Sequence, residues 1–118
     1  MNKHTKVIVS IFLIIMNSFL YAAKVISLGP NQSEQLTNSY FWTLNATCNV
    51  QTNQLKANKI RVTILKNQGR VNGKLLTAGQ ATSVSIKNNQ NISVSAEPGT
   101  EVNLSNLSGN PIKATCTT

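Results

Sequence analysis

Apolar and polar residues alternate over "YFWTLNATCNV", so that Tyr40, Trp42, Leu44, Ala46, Cys48 and Val50 share one side of an extended chain. Phe41, Thr43, Asn45, Thr47 and Asn49 fall on the other. A period of two over this length predicts a strand with one face on a core. The same reading applies to "KIRVTIL", where Ile60, Val62 and Ile64 oppose Lys59, Arg61 and Thr63. It applies again to "ATSVSI", to "NISVSA" with Ile92, Val94 and Ala96 inward, to "EVNLSNL" with Val102 and Leu104, and to "IKATC" with Ile112, Ala114 and Cys116. "KVISL" at 24–28 reads as a further strand, and the polar "NQSEQLTNS" at 31–39 as a loop or a weakly paired edge.

Turn chemistry separates these runs. Asn72-Gly73 marks a tight hairpin, because both central residues of a type I′ turn need positive φ. Pro98-Gly99 suits a type II turn, where proline fixes one φ and glycine supplies the positive one. The result is about seven or eight short strands at a spacing of roughly 8–12 residues, with no convincing long helix. This pattern predicts an all-β fold, a small antiparallel β-sandwich of immunoglobulin-like or Greek-key type.

The first residues follow a different rule. Lys3 and Lys6 precede the apolar run Val7 to Met16, and small residues close the segment at Ala22 and Ala23. A basic start, a short apolar stretch and small residues at its end describe a secretory signal peptide. The run is shorter than the ~20 residues a spanning helix needs. The expectation is a signal peptide over 1–22, cleaved after Ala22 or Ala23, and a single domain over 23–118. The exported chain is then secreted or periplasmic, bacterial, and not stably inserted in a membrane.

Export changes what the two cysteines mean. Cys48 shares its side with Trp42, Leu44 and Ala46, and Cys116 shares its side with Ile112 and Ala114. Both thiols therefore project into the same apolar layer, and an even number of cysteines outside the cytosol favours a bridge. A Cys48–Cys116 disulfide is expected. Two cysteines joined in a sandwich with a tryptophan nearby resemble the plan of an immunoglobulin domain, although Trp42 precedes the first cysteine on its own strand and Ala114 stands two residues before the second. That resemblance implies a bridge across the sandwich and no function.

Charge and titratable groups narrow the chemistry. From Lys24 onward nine Lys and Arg face three acids, Glu34, Glu97 and Glu101, a net charge of +6 for this basic segment. It has no Asp and no His, since the chain's single histidine is His4. General acid–base catalysis and common metal sites draw on His, Asp, Glu and Cys. The sequence therefore leads to the expectation of a protein that is not an enzyme, with no cofactor and no metal. Basic residues are spread over outward positions rather than concentrated in a stripe with stacking aromatics, which argues against nucleic acid.

What remains is a binding or interaction module, with an unidentified protein or glycan as partner and room for weak self-association. Phe41, set opposite Tyr40 and Trp42 on the alternating strand, is a candidate surface contact, and Lys59 and Arg61 are candidates on an outward face. Trp42, in phase with Leu44 and Cys48, is expected in the core. The alternative is a structural or assembly subunit of a surface complex that pairs through an edge strand, with 24–39 as the exchangeable segment.

Overall fold

The computed structural model describes residues 23–118; the leader read over 1–22 lies outside them. Ten strands form two antiparallel sheets and no helix occurs among the described residues. The strands are β1 (Ala23–Leu28), β2 (Ser33–Thr37), β3 (Leu44–Thr52), β4 (Asn58–Lys66) and β5 (Gln68–Val71), followed by β6 (Lys74–Thr77), β7 (Ala81–Ile86), β8 (Gln90–Ala96), β9 (Glu101–Asn106) and β10 (Ile112–Thr117). One sheet has the order β1-β10-β3-β8-β5-β6 and the other β2-β9-β4-β7.

The all-β sandwich and its single disulfide agree with the alternation and the cysteine pairing. There are more strands than the pattern suggested. Ser33–Thr37, for which the pattern left a loop or a weakly paired edge open, is an edge strand on β9, and the Asn72-Gly73 hairpin contributes two strands of its own. Both turn residues have positive φ, 48° and 83°, as a type I′ turn requires. That hairpin is the one connection that stays within a sheet; each of the others carries the chain from one sheet to the other. An alternating course with this strand order is that of a double-sheet jelly roll rather than a meander.

The two inner faces meet in a core of branched aliphatic side chains. Ile26, Val50, Ile60, Val62, Ile64, Val71, Leu76, Ile92 and Val102 are all buried, each from the inward phase of its strand. Outward neighbours such as Lys59 and Arg61 are exposed, which keeps the polar heads in water.

Two features of the sequence reading need correction. The bridge is made not between the sheets but within one: Cys48 and Cys116 sit directly opposite each other on the neighbouring strands β3 and β10, with Cα atoms 3.9 Å apart. The immunoglobulin-type bridge across the sandwich is therefore absent here, because the register of two adjacent strands, not the facing of two sheets, brings the sulfurs together. The strand of the alternating segment also begins at Leu44, not Tyr40, and Trp42 is 58% exposed rather than buried. Its partner runs out: β8 pairs Leu44 with Ala96 and then turns away at Pro98, leaving no strand among the described residues beside 40–43.

Candidate apolar cleft between the sheets

Two flanks of the sandwich are built differently. On one, the chain passes between the sheets at Asn67, from β4 to β5, and again at 78–80, from β6 to β7. The second passage is tied to β4 by Ile64 N–H donating to the Gln80 carbonyl at 2.9 Å and Gly79 N–H donating to the Ile64 carbonyl at 2.8 Å. On the other flank β1 and β2 follow one another in sequence yet join different sheets, β1 on β10 and β2 on β9. Between them lies an apolar cleft of about 560 Å³ that enters the core.

Its walls come from the inward positions of both sheets. Leu44, Ala46, Cys48, Val50, Ile92, Val94, Ala114 and Cys116 supply one wall, and Leu36, Ile60, Val62, Val102 and Leu104 the other. The space has a local cause. On β3 and β10 the inward residues include Ala46, Ala114 and the two bridged cysteines, all short side chains, set among the longer aliphatic residues that fill the rest of the core. The disulfide forms part of the wall and fixes β10 to β3 on that side.

A buried asparagine organises each end of the cleft. At the β1–β2 turn Asn106, fully buried, donates from Nδ2 to the carbonyls of Leu28, Gly29 and Asn110 at 3.2, 3.1 and 2.7 Å. Its backbone N–H donates to Gln32 and its carbonyl accepts from Asn31, so one residue ties the turn to β9. At the mouth Asn38, 3% exposed, donates from Nδ2 to the carbonyls of Trp42 and Ala96 at 3.0 and 2.9 Å, while its Oδ1 accepts from Tyr40 N–H at 2.9 Å. These bonds replace the missing neighbour strand and hold the 40–43 loop over the opening. Tyr40 lines the cleft and stacks on Trp42 with ring centroids 4.8 Å apart.

Polar groups gather at the rim rather than the floor. Gln35, Thr37, Asn38 and Lys24 border the opening. Lys24 lies in register with Cys116 on the inward phase of β1, and its Nζ is 3.8 Å from Glu34 Oε2 across the flank.

Of the surface candidates read from the sequence, Phe41 is 94% exposed beside the mouth, whereas Lys59 and Arg61 stand on the outer face of β4 and do not border the cleft. Sequence reasoning missed Lys24, Leu36 and Leu104 as lining residues. The small inward side chains Ala46 and Ala114 were the available sign that space would remain between the sheets.

No family model and no curated protein matches the chain. Solved structures of similar shape include cupin domains. The Drosophila melanogaster CENP-C cupin domain is 10% identical, with a TM-score of 0.47 over 81% of this chain and 59% of that one. An RmlC-like cupin protein from Desulfovibrio desulfuricans is 13% identical, with a TM-score of 0.45 over 72% and 79%. A dTDP sugar isomerase from Desulfovibrio desulfuricans G20 is 9% identical, with a TM-score of 0.46 over 80% and 54%. This chain spans less than two thirds of the length of the first and third of these.

The expectation that the protein is not an enzyme is corrected by this last likeness. A dTDP sugar isomerase is among the solved structures of similar shape, and the expectation is carried no further. At such identities the likeness concerns the fold and assigns no substrate, residue or reaction to this chain.

Proposed function

We propose that the protein is an exported binding module whose ligand site is the apolar cleft between the β1 and β2 edges. The observation that carries this reading is the cleft itself. Its volume falls in the range of about 300–1,000 Å³ that small-molecule sites occupy, and an apolar lining with a few polar groups at one border is their usual chemistry. Burying an alkyl or aryl group there would remove apolar surface from water at roughly 25 cal/mol per Å². The disulfide is compatible with an oxidising compartment, in line with the leader read over 1–22 and with export to the periplasm or beyond the cell.

Filling the cleft tests the proposal. In Ala46→Phe the new ring would occupy the space beside Leu44 and Val94 at the mouth. A neutral solvatochromic dye such as Nile red should shift its emission with the unaltered protein and lose at least about tenfold in affinity with the variant, a change near 1.4 kcal/mol. Circular dichroism melts should show the variant folded. Equal dye binding by both proteins would remove the cleft as the site.

A second reading, assembly through an edge strand, is favoured by β7. Its sequence, Ala81–Ile86, has no charge and no proline, and among the described residues it closes the four-stranded sheet without a neighbour on its far side. Such an edge is open to strand addition. The segment 24–39 named in the same context forms β1 and β2, the outer strands of both sheets on the cleft side. Light scattering across a concentration series would reveal growth of oligomers if β7 pairs between copies, and Ser83→Lys should then suppress it.

A further inference from the structure

We propose that the occupant of the cleft is a single-chain amphiphile with an anionic head, a free long-chain carboxylate, and that Lys24 is its head-group contact. This rests on the cleft being a ligand site and adds the ligand's class. Three observations lead to it.

First, among the described residues Lys24 carries the charged side chain of the lining, and the other lining side chains are apolar or neutral polar groups. A wholly apolar ligand would leave this ammonium idle at the mouth, and a cationic amphiphile would meet like charge there. Second, Lys24 projects from the inward phase of β1, in register with Cys116 on the cleft wall. An alkyl chain lying against Ala46, Val94 and Cys116 would therefore bring its head within reach of the ammonium. Third, the existing partner is held weakly. The Lys24–Glu34 pair is at 3.8 Å, beyond hydrogen-bond distance, with the two side chains 58% and 37% exposed. Exposed pairs of this kind contribute little, so a ligand carboxylate can take the ammonium while Glu34 turns to water. A lysine ammonium has three donors and can engage the ligand while keeping contact with solvent. The excess of basic over acidic residues, nine to three from Lys24 onward, favours long-range attraction of anions to the molecule as a whole.

The experiment is a displacement of Nile red from the purified protein by three probes of equal chain length: dodecanoate below its micellar concentration, dodecanol and dodecyltrimethylammonium. Dodecanoate should displace the dye at about a tenfold lower concentration than dodecanol, as a charge-assisted contact in a partly wet site allows. Lys24→Gln should erase that advantage and leave dodecanol unchanged, Lys24→Arg should keep it, and Glu34→Gln should increase it. Dodecanoate and dodecanol binding equally, or weakening equally in Lys24→Gln, would overturn the head-group assignment while leaving the cleft as a site. If none of the three displaces the dye, both the assignment and the cleft reading fall. Sedimentation with phosphatidylglycerol vesicles separates the sources: pelleting that depends on Lys24 and resists dodecanoate competition would replace the free carboxylate by a membrane lipid.

Discussion

The two halves of this sandwich use the same kind of residue and reach different ends. Around β4, β5, β6 and β7 the core residues Ile64, Val71, Leu76 and Ile86 are 1–3% exposed, and none of them borders the cleft. Gly69 shows how tight this half is: a Cβ there would collide with the Ser95 carbonyl oxygen, so glycine lets β5 pair closely with β8. Around β1, β2 and the facing parts of β3, β9 and β10, the residues Leu36, Leu44, Ala46, Leu104 and Cys116 remain half-buried and enclose space. Two chain crossings close the first half. In the second the crossing from β1 to β2 is tied to β9 through Asn106, and short inward side chains leave the gap beyond it unfilled. A core of one composition thus becomes a packed block or an open cleft according to the size of the inward side chains and the bonding of the edges.

The comparison can be broken at its strongest tie. The double variant Cys48→Ala with Cys116→Ala should lower unfolding free energy by roughly 4 kcal/mol, the loss expected when a bridge spanning 68 residues is removed. Because β10 carries β1, amide exchange should rise first in those two strands and last in β5 and β6; uniform exchange would mean that the halves unfold as one unit.

Truncation sharpens the contrast. Ile64→Ala in the packed half should cost about 3 kcal/mol, as deletion from a closed core does. Leu36→Ala at the cleft should cost about 1 kcal/mol, since its side chain is already partly in water. Urea midpoints at unchanged m-value report both; equal losses would contradict the division.

The smallest test compares the two asparagines. Asn106→Ala leaves three carbonyls with fewer partners inside the protein and should cost about 2 kcal/mol. Asn38→Ala should cost nearer 1 kcal/mol, because the loop it supports is more exposed, and should change the fluorescence of Trp42 as the stack on Tyr40 loosens. An unaltered tryptophan spectrum in Asn38→Ala would show that the aromatic stack stands without it.

Much of the fold was legible because it rests on local pattern. Val50, Ile60, Val62, Ile92, Val102, Ile112 and Ala114 were all on the inward side of their alternations and are all buried. Trp42 was not, although it follows the same alternation: phase records which way a side chain would point in a strand, and a strand exists only where a neighbour supplies hydrogen bonds. Ser33–Thr37 stands at the other limit: its polar pattern left a loop and a weakly paired edge both open, and pairing with β9 makes it the edge.

The sequence by itself determined the class of fold, its hairpin at Asn72-Gly73 and the identity of the bridged cysteines, since period, turn chemistry and a count of two thiols are properties of neighbours along the chain. Tertiary structure decided that the bridge lies within a sheet, that β1 and β2 part to different sheets, and that Lys24 stands at the rim of an apolar cleft. These depend on register and on which edges meet, and residues as far apart as Lys24, Cys116 and Leu104 have no relation until the strands are assembled.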